Sequence, residues 1–175
     1  MPINSEKKPT LLLVDDDAII ADSLEYVLSE EYQVERANDR PSSFALIDAM
    51  KEPPTLALVD LGLPPNIHRP DEGLAVVRKL SQKHPSTRVL VLSGQDTKKH
   101  LFQAREDGAV DFIAKPCDIA EIKVRLKKQI VAGGGAGLAL APAGFSVGGR
   151  VVAAREGEAE REDPSKTQSK THAAA

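Results

Sequence analysis

Three consecutive carboxylates, Asp15, Asp16 and Asp17, follow directly on the apolar run "LLLV". Adjacent carboxylates repel and raise one another's pKa, so gathering them is unfavourable unless a cation, a helix cap or water divides their roles. Three more reactive groups stand at comparable places: Asp60 closes "TLALVD", Ser93 closes "RVLVLS", and Lys115 with Pro116 follows "DFIA". Taken singly, each has a plain reading, since Asp caps helices, Ser-Gly forms turns and Lys-Pro marks a chain exit. Taken together they suit phosphoryl transfer, in which clustered carboxylate oxygens hold Mg2+ while an ammonium and a hydroxyl meet the phosphoryl oxygens. The histidines His68, His84, His100 and His172 are scattered and make no metal-ligand pattern.

That chemistry requires the segments to meet at one place. Apolar runs bounded by turn residues predict five strands, over 10–15, 32–37, 55–60, 88–93 and 109–114. Between them, Ile20, Leu24, Val27 and Leu28 mark one helix face, and Ile119, Ile122, Leu126 and Ile130 mark another, in a last helix. Shorter helices are expected over 41–50, 73–83 and 96–107, the first opened by Pro41 at the N1 position. Regular alternation of strand and helix implies right-handed crossovers and a parallel sheet covered on both faces. The expected class is therefore α/β, a doubly wound five-stranded parallel sheet. In such sheets ligands bind outside the carboxyl ends of the strands, which is where Asp15, Asp60, Ser93 and Lys115 all fall.

Composition narrows the setting. At 175 residues, 41% hydrophobic and 28% charged, the chain suits one domain with length left over. A net charge of -3 supplies no basic face for nucleic acid. The single cysteine, Cys117, excludes an internal disulfide and a cysteine-rich metal site, and fits a reducing, cytoplasmic setting. Residues 1–8 are a polar extension without the apolar core of a leader or anchor. Beyond Ile130 the character changes: 131–175 reads as a Gly/Ala-rich linker and a charged tail, expected to be disordered. Ile130 to Gly149 carries no charge, but seven glycines and Pro142 leave too little apolar surface for a membrane span.

The motifs "LLLVDDD", "LALVDLGLP", "VLVLSG" and "DFIAKP", in this order and spacing, resemble the receiver domain of two-component response regulators, the CheY-like family. The resemblance covers about residues 9 to 130 and implies a flavodoxin-like fold. It implies that Asp60 is the phosphoacceptor, taking a phosphoryl group from the phosphohistidine of a sensor histidine kinase or a phosphotransfer protein. It further implies that Asp16 binds Mg2+ directly and Asp15 mainly through water, with Asp60 and the backbone carbonyl of Gly62 completing the protein's ligands. Lys115 would pair with the phosphoryl group, its bond to Pro116 being cis. The hydroxyl of Ser93 would swing to the phosphoryl oxygen while Phe112 fills the vacated space, switching a surface made of the fourth helix, fifth strand and fifth helix. That surface would address an effector protein the sequence does not name, or a second copy of the chain. Apart from its own phosphorylation and dephosphorylation no enzymatic activity is implied. Asp17 is left to face outward and cap the helix that starts near Ala18.

One stretch departs from the family. "LGLPPNIHRPDEG", between Asp60 and Gly73, is longer than the usual connection, and Pro64, Pro65 and Pro70 stiffen it. It resembles the longer loop of a subset of NtrC-type receivers associated with exosortase systems, and His68 within it reads as a surface residue. Neither a G-x-x-x-x-G-K-[ST] phosphate loop nor a basic helix-turn-helix is present, so the reading is a receiver without a DNA-binding output, or a receiver fragment of an NtrC-type activator. A rival class is the haloacid-dehalogenase-like phosphatases, whose first motif Asp15 and Asp17 imitate. Against it, Ile19 stands where Thr or Val is usual, no acidic pair follows Lys115 on a later strand, and that family has no role for Asp60.

Overall fold

The computed structural model describes residues 7–94, 98–133, 146–147 and 150–151. Its elements are β1 (Thr10–Val14), α1 (Ala18–Leu28), β2 (Gln33–Ala37), α2 (Arg40–Ala49), β3 (Leu56–Asp60), α3 (Asp71–Lys83), β4 (Arg88–Ser93), α4 (Lys98–Glu106), β5 (Ala109–Ala114), α5 (Ile119–Gly133), β6 (Ser146–Val147) and β7 (Arg150–Val151). The first five strands form one parallel sheet in the order β2-β1-β3-β4-β5, with Val14 opposite Val59 and Asp60 opposite Leu92. The order reverses between β1 and β3, so their carboxyl ends open the crevice expected of a doubly wound sheet.

Strand alternation divides the core by size. Leu11, Leu13, Leu56, Leu58, Leu90 and Leu92 pack with α1 and α5, while Val14, Ala57, Val59, Val89 and Val91 pack with α2, α3 and α4. On the face that three helices cover the strand side chains are mostly small, Leu12 and Phe112 being large exceptions, and leucines fill the face that only two cover. The interior strand β3 and all but the first residues of β1 and β4 are buried, which is why they read as continuous aliphatic runs; β2, at an edge, keeps its polar residues partly exposed.

Differences from the sequence reading are local. The cap of α2 is Asp39, whose carboxylate accepts from the Ser42 amide, so Pro41 occupies the second helical position and not the first. A cap three residues ahead of Ser42 outranks the proline signal because it satisfies an orphan amide. α5 continues past Ile130 to Gly133. Residues 95–97, at the expected start of the fourth helix, and nearly all of the expected linker and tail lie outside the described residues; β6 and β7 within it pair antiparallel. Between Val89 and Leu90 the β4–β5 register slips, Val89 facing Ala109 and Leu90 facing Asp111, so Val110 is an extra residue in β5. No helix among the described residues is long and apolar enough to cross a membrane.

Candidate functional site

The three adjacent aspartates separate as the chain turns from β1 into α1. The Asp15 amide still donates to the Ala37 carbonyl at 3.2 Å, which carries Asp15 one residue beyond the strand and buries it. The Asp17 amide donates back to Asp15 Oδ1 at 2.9 Å, closing the turn, and Asp17 Oδ1 accepts from the amides of Ile19 at 2.9 Å and Ile20 at 3.2 Å as the cap of α1. Asp16, between them, is exposed.

β3 delivers Asp60, buried at its last position. The two oxygens of Asp60 are held differently: Oδ1 accepts from the Gly62 amide at 3.0 Å and Oδ2 from Lys115 Nζ at 2.6 Å. The same ammonium reaches Asp15 Oδ2 at 3.1 Å. Its own backbone is tied down, because the Lys115 amide donates to the Ser93 carbonyl at 2.8 Å and the Lys115–Pro116 bond is cis. Asp15, Asp16 and Asp60 each offer a carboxylate oxygen within 4.8 Å of the others. Ser93 is buried at the same sheet end, on the strand beside Asp60 and paired with Ala114. Phe112 is completely buried in the layer with Val91 and Ala104, the inward position of the expected movement. Thus Asp15, Asp16, Asp60, Ser93 and Lys115 share one strand-end crevice, whereas Asp17 is spent on the cap and His68 lies exposed on the loop. With its carboxylate engaged by two helix amides, Asp17 is not the second aspartate of a dehalogenase-type pair.

The electrostatics show an imbalance. Three carboxylates face one ammonium, and unit charges 4 Å apart interact by about 4 kcal/mol at an effective dielectric of 20. Burial pushes the Asp15 carboxyl above its ordinary value, a push that Lys115 and the Asp17 amide oppose without cancelling. Partial desolvation by the crevice, reinforced by the charge of Asp60, raises the exposed Asp16 as well. Burial disfavours the Lys115 ammonium, but its hydrogen bond to Asp60 and the charges of Asp60 and Asp15 outweigh that and raise its pKa.

Several supporting features carried no sequence signal strong enough to single them out. Gly73, in the first turn of α3, lies so close to the backbone of Asp60 and Leu61 that an added Cβ would sit 2.5 Å from the Asp60 carbonyl oxygen and 2.4 Å from Leu61 Cα. The long connection is not a free flap: Leu61 and Leu63 are buried, and the Ile67 carbonyl oxygen lies 2.7 Å from where a Gly62 Cβ would be. Beside the site, Ile19, Ile20, Leu92, Pro116, Ile119 and Ile122 line much of an apolar groove of about 540 Å³. Ile19, an isoleucine outside the apolar stripe at the start of α1, was the available signal, while Ile20, read as part of that stripe, is exposed instead.

The sequence pattern of the response regulator receiver domain matches residues 11–127. The chain belongs to that family. The alginate biosynthesis transcriptional regulatory protein AlgB of Pseudomonas aeruginosa is 30% identical over 131 residues, 74% of this chain and 28% of its own length. A CheY-like receiver domain from Methanospirillum hungatei superposes with a TM-score of 0.65 at 26% identity, covering 73% of this chain and 97% of that one. A response regulator from Burkholderia pseudomallei, solved with a phosphorylated aspartic acid, a calcium ion and citrate, superposes with a TM-score of 0.58 at 26% identity, covering 72% and 75%. The chain spans about half or less of the length of the curated relatives it matches. It is a receiver domain of two-component response regulators, whose kind interacts with histidine kinases and binds Mg2+ at an acidic pocket. The donor set here fits that ion: three hard carboxylates at one crevice, where charge in excess of the single ammonium is left to be balanced.

Proposed function

We propose that this receiver accepts a phosphoryl group on Asp60 from the phosphohistidine of a sensor histidine kinase or a phosphotransfer protein, in a cytoplasmic signalling chain. The observation that carries the reading is the bridge of Lys115 Nζ to Asp60 Oδ2 at 2.6 Å and Asp15 Oδ2 at 3.1 Å, because it sets a fixed cation at the buried carboxylate that closes β3. An Asp60 oxygen attacks phosphorus, the phosphorus–nitrogen bond breaks with its electron pair returning to the imidazole, and an acyl phosphate forms. Lys115 transfers its hydrogen bonds toward the new phosphoryl oxygens, and the Ser93 hydroxyl donates to another. Asp16 would hold Mg2+ directly and Asp15 through water, with Asp60 and the Gly62 carbonyl as further ligands, and the ion would supply neutralisation of charge on the phosphoryl oxygens. The Gly62 amide keeps Asp60 oriented, and Gly73 lets α3 press on the acceptor's backbone.

The apolar groove of Ile19, Ile20 and Pro116 opens beside Lys115. Residues 9–130 are taken as the receiver unit, with Ser93 and Phe112 relaying phosphorylation to α4, β5 and α5 and from there to an effector or a second copy. The activity is confined to the chain's own phosphorylation and dephosphorylation. The long connection after Asp60 is read as NtrC-type. Acetyl phosphate with Mg2+ tests the assignment: wild type is expected to carry an acid-stable, base-labile acyl phosphate that maps to Asp60 and disappears in Asp60→Asn. An acyl phosphate mapped to Asp15 would overturn it.

A further inference from the structure

β5 is the last strand of the sheet, so its outer backbone groups have no strand partner within the five-stranded ladder. Such an edge is a template for another segment and is normally covered or blunted. The extra residue Val110 and the pairing of Arg125 with Asp111 at 3.0 Å and Glu121 at 2.9 Å occupy part of this flank. Apolar surface is left beside it. On α4, Leu101 and Ala104 pack on the core and neighbouring Asp107 pairs with Arg78 of α3. At about 100° per residue, Phe102 then takes the flank of α4 turned from α3 toward β5. Phe102 is 66% exposed, and Val124 on α5 is 67% exposed.

The chain itself returns to this edge. α5 runs from the crevice to the opposite end of the sheet, where Gly133 sits against Arg88, a Cβ there falling 3.3 Å from Arg88 Cδ. Residues 134–145 are long enough to come back, since twelve residues reach roughly 40 Å when extended. The backbone of β6 lies alongside β5, paired with β7 and outside the five-stranded ladder.

We propose that β6 and β7 form an internal cover over the β5 edge, leaving Phe102 and Val124 exposed on the flanking helices. That this edge belongs to the signalling face rests on the proposed function; the cover itself does not. A partner for the edge then has to displace the chain's own hairpin, and by reciprocity whatever favours the partner loosens the hairpin. The inference extends the receiver reading by giving the C-terminal segment a place and an occupant's role.

Two nitroxide labels on the full chain test it, both in a Cys117→Ser background and without Mg2+ or phosphoryl donor. A label at Val147→Cys is expected to broaden the amide signals of Ala109–Ala114 strongly and those of Gln33–Ala37, on the far edge of the sheet, far less. Because a label on a two-residue strand can itself disturb the pairing, a second label at the exposed Val124→Cys on α5 should broaden the signals of Ser146, Val147, Arg150 and Val151, while one at the exposed Tyr26→Cys on α1 should not. Equal broadening of both sheet edges, or no effect of the Val124 label on the hairpin, would overturn the cover. Failure of acetyl phosphate to label Asp60 would leave this contrast intact, so the two readings fall separately.

Discussion

The two ends of the sheet solve the burial of polar groups in opposite ways. At the amino ends of the strands, Thr87 Oγ1 donates to the Pro54 carbonyl at 2.7 Å, His84 Nε2 lies 3.2 Å from the Ile47 carbonyl, and Arg88 holds the buried Gln129 with two bonds of 2.9 and 2.6 Å. Each group there meets a partner of matching character. At the carboxyl ends, Asp15 and Asp60 share the ammonium of Lys115 with Asp16 clustered beside them, and desolvation lifts the carboxyls of Asp15 and Asp16 above their ordinary values. One end is arranged to stay as it is. The other holds negative charge in excess of its one ammonium, which an additional cation can balance.

Removing the one cation should break the comparison most severely. In Lys115→Met, buried Asp15 and Asp60 lose their counter-charge, a change that costs about 3 kcal/mol at the lower end of the range for broken buried pairs, since Lys115 retains some exposure. Urea unfolding at neutral pH measures it, and the deficit should shrink in acid as the carboxylates protonate. At the opposite end Gln129→Ala leaves Arg88 without the amide oxygen that accepts both its bonds; the expected loss is about 1.5 to 3 kcal/mol, and Mg2+-dependent labelling of Asp60 should persist.

A subtler effect has the reverse sign. Asp15 and Asp16 titrate above the ordinary carboxylate value of 3.8, so the folded state binds more protons than the unfolded state just above that pH. Stability without metal therefore falls as pH rises from 3.8 through the raised values. Asp15→Asn, measured without Mg2+ at neutral pH, should melt above wild type and show a flatter pH dependence in that window. Lys115 behaves in the usual way for a paired lysine: its raised value gives stability that is complete below 10.5 and lost as pH climbs through the folded value. A metal-free Asp15→Asn that melts lower across the whole range would mean the crevice is held together by Asp15 and not opposed by it.

Much of this organisation was legible because it is local. The aliphatic runs of β1, β3 and β4 announced buried strands, and the duty of Asp17 followed from its place one residue before a helix. The meeting of Asp15, Asp60 and Lys115 was legible once the alternation of strand and helix was seen, since a parallel sheet brings every strand's carboxyl end to one side. What escaped depends on contacts between residues distant in sequence. Gly73, at the start of an expected helix, shows no role until α3 is laid on the Asp60 backbone. The slip at Val110, which turns Asp111 toward Arg125 and Phe112 toward the α4 layer, has no marker in "AVDFIA" because a bulge is set by pairing and not by composition. Pro41 suggested a helix start one place off because Asp39 and Ser42 form a reciprocal cap around it.

The charge imbalance at the carboxyl ends is tested most directly by the melting temperature with and without Mg2+. A ligand that binds only the folded state at ten times its Kd adds about 1.4 kcal/mol. Wild type should melt higher in Mg2+, and Asp16→Asn, which lacks the exposed carboxylate of the cluster, should show a much smaller rise. An equal rise in both proteins would place the ion elsewhere and contradict the account.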